Sequence, residues 1–150
     1  MDHLAILSKE KKLLDLIISG KKTIESRWYE YKRTPYQNIS AGEIVYFKEV
    51  GEPVIAKALV DQVLFFDQLD EVKIRSILEK YGKHIGIPIS STSKYVGKNY
   101  CTLVFLSKAR KIEPFHINKK GFGSMAAWIT VKTIEDIKES HQAQVSRIKR

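Results

Sequence analysis

The apolar positions change period along the chain, and each change marks an element. Leu13, Leu14, Ile17 and Ile18 recur at helical spacing, which predicts a first helix from a Ser8 cap to about Ser19. Gly20 stands where a left-handed residue ends such a helix. An extended, aromatic-rich segment follows, "TIESRWYEYKRTPY", interrupted by Pro35 and "NISAGE". "EIVYFKE" reads as a strand, Gly51 to Pro53 as a turn, and "VIAKALVDQVLFF" as a long strand or two with a bend. Ile74, Ile77, Leu78 and Tyr81 make a second helical stripe, with Gly82 closing it.

"GIPISSTSKYVGKN" then reads as a polar loop. "YCTLVFL" is a nearly continuous apolar run, as a central strand requires. "KARKIEPF" is expected to carry the chain out of the sheet, and "AAWITV" to form a last strand. Thr133 can cap a third helix, with Asp136 near the capping-box position. Ile134, Ile137, Val145 and Ile148 give that helix a narrow stripe, so it belongs at the surface, and "SRIKR" ends it as a frayed basic tail. Strands and helices do not alternate strictly, and the connection between "EIVYFKE" and "VIAKALV" is hairpin-short. The expectation is an α+β fold: a small mixed, mostly antiparallel sheet, curled and flanked by two or three helices.

Composition narrows the function classes. The chain has 150 residues, 43% of them hydrophobic, enough for one domain with a proper core. No apolar run approaches the roughly 20 residues that span a membrane. The N-terminal apolar stretch is too short for a signal peptide, and the single cysteine cannot form an internal disulfide, so a cytoplasmic location is expected. Cys101 lies in an apolar strand and reads as core. His3, His84, His116 and His141 are scattered without metal-ligand spacing, and "GFGS" at Gly121 to Ser124 lacks the features of a phosphate-binding fingerprint. Neither a metal nor a cofactor is expected. Charge is the positive signal. The net charge is +9, and residues 101–150 carry 10 Lys/Arg against 4 Asp/Glu, or +6 of it. Nucleic acid is the commonest polyanion for such a surface.

The charged stretch "SGKKTIESR" sharpens that reading. Lys21 and Lys22 complement a helix C-terminus and need no further reason. In an extended chain Thr23, Glu25 and Arg27 share one face, with Lys22, Ile24, Ser26 and Trp28 on the other. Arginine offers two-pronged hydrogen bonding to phosphate, and a carboxylate accepts from a base's amine. "WYEYKR" follows directly. Aromatics interleaved with cations suit single-stranded nucleic acid, with Trp28 a candidate stacking residue.

Gly20, Lys22, Glu25 and Arg27 match the Gly-x-Lys-x-x-Glu-x-Arg signature of the ASCH family without a gap, and the order of elements also resembles that family over roughly residues 4–106. The resemblance implies a PUA-like β-barrel, here residues 1–114, with residues 115–150 adding a C-terminal strand and basic helix packed on the same domain. It implies RNA or nucleotide binding in a cleft lined by Lys22, Glu25 and Arg27, with Lys48 and the loop around Lys94 and Tyr95 at the rim. Some compact relatives are amidohydrolases that remove an acetyl group from acetylated cytidine, using a lysine, a threonine nucleophile and a distant glutamate. Lys22 is retained here, but Glu25 stands in the nucleophile's position. Thr23 is the nearby hydroxyl, and Glu71 and Glu79 are the distant glutamates by region. A glutamate has no hydroxyl to form the ester. Binding is therefore the first expectation, and hydrolysis of a modified nucleoside or of RNA the alternative.

Overall fold

The computed structural model describes residues 1–123 and 125–140. Six strands form one sheet: β1 (Asp2–Leu7), β2 (Ile24–Tyr29), β3 (Ile44–Glu49), β4 (Val54–Phe66), β5 (Tyr100–Phe115) and β6 (Trp128–Val131). Their order is β2-β5-β4-β3-β1-β6. Among the described residues only β1 with β3 is parallel; the other pairs are antiparallel. The sheet curls into a half-barrel beside α1 (Leu13–Ile18) and α2 (Glu71–Ile85), as the α+β expectation required.

The N-terminus departs from the sequence reading. "DHLAIL" is a strand, and the first helix is much shorter than Ser8 to Ser19. Ser8 makes no side-chain cap, Lys9–Lys11 form a single 3-10 turn, and Lys12 is left-handed (φ 51°) before α1 begins. β1 escaped notice because its inner residues show no alternation. They are buried on both faces: Ala5 and Leu7 join the cluster around Phe47, while Leu4 and Ile6 join that around Phe115. A strand flanked by two others and covered on both sides reads as a plain apolar run. Gly20 is left-handed (φ 80°) just past α1, as expected.

α2 also differs at its end. Asp70 caps it by accepting from the Lys73 N–H at 2.8 Å, and it runs on past Gly82 to Ile85. Gly86 (φ 86°) is the terminating residue, its N–H bonded to the Gly82 carbonyl. Gly82 serves a different purpose. The Ile87 carbonyl oxygen packs so close that a Cβ at Gly82 would lie 2.5 Å from it. The polar segment beyond holds a 3-10 helix, Ile89–Tyr95, rather than an open loop.

"KARKIEPF" stays in the sheet. β5 continues to Phe115 and pairs with β4 along its length, with register shifts that let two long strands curl together. The stripe Ile74, Ile77, Leu78 and Ile85 of α2 packs on Ile24, Trp28, Cys101 and Leu103. Burial pushes the Cys101 thiol pKa well up, consistent with a core role. β6 closes the far edge, and Ile129, Val131, Ile134 and Ile137 share a cluster with Leu4, Ile6 and Phe115. Thr133 does act as a cap, but over one 3-10 turn, Ile134–Asp136, and its hydroxyl accepts from Glu135 rather than Asp136. The rest of the expected basic helix, with Val145 and Ile148, lies outside the described residues.

His3 gives the fold a pH dependence. It is fully buried. Its Nε2 lies 2.9 Å from Glu43 Oε1, and Trp128 Nε1 donates to its Nδ1 at 3.2 Å. That assigns the neutral ring with the proton on Nε2. Burial holds its pKa below the ordinary 6.5, with Glu43 partly opposing. The unfolded chain thus binds a proton at higher pH than the folded one. Stability is expected to fall as the pH drops below about 6.5. The thermal midpoint at pH 5.5 should lie below that at pH 7.5, with a smaller gap in His3→Gln. Equal midpoints in the native chain would contradict this.

Candidate functional site

The charged motif is assembled where α1 ends and β2 begins. The Lys22 N–H bonds the Leu16 carbonyl, which turns the chain before the strand alternation starts. Lys22 therefore joins Glu25 instead of pointing away from it. Its Nζ donates to the carbonyls of Ile24 (2.7 Å) and Ile85 (2.6 Å) and lies 3.5 Å from Glu25 Oε1. Two of its three protons are thus held by backbone carbonyls, and the Glu25 carboxylate lies at ion-pair distance. Lys22 thus ties β2 to the end of α2.

Glu25 is enclosed by these charges. Its Oε1 accepts from the Ser26 N–H at 3.0 Å, and its Oε2 lies 3.6 Å from an Arg27 nitrogen, too far for a hydrogen bond. Oε2 is buried and has no hydrogen-bond partner among the described residues. Burial pushes the carboxyl pKa up, but Lys22, Arg27 and the Ser26 N–H outweigh it and hold it below the usual carboxylate value. Burial pulls the Lys22 ammonium below its usual value, with Glu25 opposing.

Arg27 reaches across the half-barrel. β2 and β6 are the two edges of the sheet. From β2, the guanidinium donates to the Ala127 carbonyl at 3.1 Å and the Ile6 carbonyl at 3.4 Å, and it lies over the Trp128 ring at 5.2 Å. It clasps one edge to the other. Glu25 and Arg27 do share a face, as strand alternation predicts. Thr23 does not join them in a site: its backbone bonds His84 and Leu106, and its side chain bonds neither Lys22 nor Glu25.

Beside the motif lies a cavity of about 430 Å³ between α1, β2 and the segment after α2. Lys22 and Glu25 are in its lining, with Ser26 and Trp28. Ile85–Pro88, Ser91, Lys94 and Tyr95 form the opposite side. Trp28 and Tyr95 stack at 4.7 Å between ring centres, and Ser26 Oγ accepts from Trp28 Nε1 at 3.0 Å. Trp28 presents little surface, being 9% exposed, so Tyr95 supplies most of the accessible aromatic face. Lys11, Lys22 and Lys94 against Glu25 give the lining a net charge of +2.

The other sequence candidates lie elsewhere. Arg27 does not line this cavity, and neither does Lys48. Lys48 is 8% exposed on β3, and burial followed by Lys119 keeps its ammonium below the usual value while Glu52, itself paired with Lys9, opposes. Glu71 pairs with Arg75 at 3.2 Å on the exposed face of α2, and Glu79 is exposed on the same helix; neither reaches the cavity. Sequence reasoning missed Ser26, Ser91 and Lys11 as lining residues. Nothing in their local pattern sets them apart, because the chain folds back to bring them together.

No family model and no curated protein matches the chain. Solved structures do. ASCH from Zymomonas mobilis is 19% identical, with a TM-score of 0.67 over 97% of this chain and 94% of that one. The N-terminal domain of Staphylothermus marinus McrB is 13% identical, with a TM-score of 0.51 over 97% and 93%. Protein EF3133 from Enterococcus faecalis is 12% identical, with a TM-score of 0.53 over 77% and 82%. Strand order, helix placement and this likeness over almost the full length agree: the chain has an ASCH-type fold.

Proposed function

We propose that the chain binds RNA or a nucleotide in the cavity beside the charged motif. A base packs against Tyr95, backed by Trp28, and Lys11 and Lys94 at the opening engage phosphate. The observation that carries this reading is the cavity's composition: an aromatic wall and free lysines above a floor of already paired charges. Its volume suits a small ligand or one nucleotide of a longer chain. Lys22, Glu25 and Arg27 act here as positioning residues that hold the floor and the half-barrel in shape.

Hydrolysis needs a hydroxyl beside a group free to take its proton. Lys22 is held by two backbone carbonyls and the Glu25 carboxylate, and Thr23 makes no bond to it. Binding is the function that the geometry supports.

Two surface variants test it. Ser91→Trp should fill the cavity and lower affinity for single-stranded RNA by about tenfold or more, the scale of one lost stacked base. Its thermal midpoint should stay near that of the native chain. Lys94→Ala should lower the salt slope of binding by about one contact. Fluorescence anisotropy across a salt series reads both. Native affinity in Ser91→Trp would overturn the assignment.

A further inference from the structure

A second concave feature lies close to the cavity. It is a groove of about 480 Å³ lined by Glu30, Tyr31, Lys32, Gln68, Asn99 and Tyr100. Tyr31 is 72% exposed, and no ring contact or hydrogen bond holds its side chain among the described residues. Its neighbours are fixed. Arg33 lies over the Tyr29 ring at 5.2 Å, and Tyr36 meets Phe65 and Tyr100 edge-on at 5.4 and 4.9 Å. The groove is thus a firm base with one large aromatic standing free above it.

Its polar groups are equally specific. Gln68 is left-handed (φ 48°), an uncommon conformation for glutamine, and its amide makes no hydrogen bond among the described residues. Asn99 donates from Nδ2 to the Glu30 carbonyl at 2.9 Å, which leaves its Oδ1 free to accept. A free carboxamide and a free carbonyl oxygen beside an aromatic face are the groups that read an unstacked base edge. Glu30 in the lining, and Asp67 next to Gln68 in the chain, repel phosphate from the floor. Lys32 in the lining, and Arg33 and Lys98 adjacent to it in sequence, offer cations for the backbone.

The groove and the cavity share one stretch of chain. Tyr95 lines the cavity and Tyr100 lines the groove. Five residues of chain span at most about 18 Å. That segment is pinned: Lys98 N–H bonds Tyr95 and Asn99 N–H bonds Tyr29. We infer that the groove is a second nucleobase subsite, so that a single-stranded oligonucleotide places one base in the cavity and stacks another on Tyr31. This rests on the nucleic-acid reading of the cavity and extends it from one nucleotide to a strand.

The test compares a labelled single-stranded RNA hexanucleotide with 5′-AMP, using the full chain. Tyr31→Ala should weaken hexanucleotide binding about tenfold, the usual scale for losing one stacked base, and leave 5′-AMP affinity unchanged. Tyr31→Trp should keep the native hexanucleotide affinity. If Tyr31→Ala binds the hexanucleotide like the native chain while Ser91→Trp does not, the subsite is overturned and the cavity stands. If Tyr31→Ala weakens binding while Ser91→Trp has no effect, the groove stands and the cavity reading falls. If neither RNA nor 5′-AMP binds at low salt, both fall.

Discussion

Glu25→Ala is expected to lower folding stability by about 3–5 kcal/mol, because it leaves buried cations without their counter-charge. Lys22 is 3% exposed and loses the only carboxylate paired with it among the described residues; Arg27 loses its carboxylate partner as well. For a chain of this length such a loss lowers the thermal midpoint by about 10 °C. Urea unfolding gives the free energy directly. The double variant Lys22→Met/Glu25→Leu should recover only part of it: it removes the unpaired ammonium, but leaves Arg27 without Glu25 and the Ile24 and Ile85 carbonyls without the Lys22 donor. The native pair also predicts an acid limb. The folded carboxyl lies below its ordinary value, so its contribution is full above the unfolded pKa of about 4.3. It is lost as the pH falls through the lower folded value. Glu25→Gln should flatten that limb. A Glu25→Ala chain as stable as the native one would show that the triad contributes nothing.

Gly82→Ala carries the second large effect, and its sign runs against helix propensity. In an exposed helix the change would stabilise by about 1 kcal/mol. Here the added Cβ would meet the Ile87 carbonyl oxygen at 2.5 Å, and that oxygen is backbone, not a side-chain tip that could swing away. Overpacking of this kind typically costs about 1–3 kcal/mol. The damage is also local to function. Ile87 and Pro88 line the cavity, so a shift there should weaken ligand binding as well as lower the thermal midpoint. An unchanged or raised midpoint would mean that the segment yields freely.

How much was legible in the sequence depended on whether the signal was local. The α2 stripe, the β3 and β4 strands, the left-handed Gly20 and the extended course of the motif after it were all readable, because periodicity and a helix stop act within a few residues. β1 was not, since burial on both faces erases alternation. Gly82 and Gly86 could not be told apart by spacing. What separates them is the approach of Ile87, a contact made only once the chain has folded back. The candidate site divides the same way. Lys22, Glu25 and Trp28 were named from the sequence and do line the cavity. Arg27 was named for the same cleft, but its partners are the carbonyls of Ile6 and Ala127, the latter 100 residues away. Ser91 and Lys11 enter the lining from separate segments that no motif connects.

The motif therefore has a structural role that its residue types conceal. Lysine, glutamate and arginine in one short span suggest an anion site. In this fold the lysine fastens β2 to α2, the arginine fastens β2 to the opposite sheet edge, and the glutamate balances both. In the proposed reading the recognition groups are their neighbours, the half-buried Tyr95 and the exposed Lys94, on the segment that Lys22 helps to hold through the Ile85 carbonyl.

Chemical-shift mapping of backbone amides on adding a short single-stranded RNA tests this arrangement most directly. The largest shifts are expected at residues 26–28 and 86–96, with a second group at 30–33 and 98–100. Shifts confined to the basic C-terminal stretch, with residues 86–96 unmoved, would contradict it.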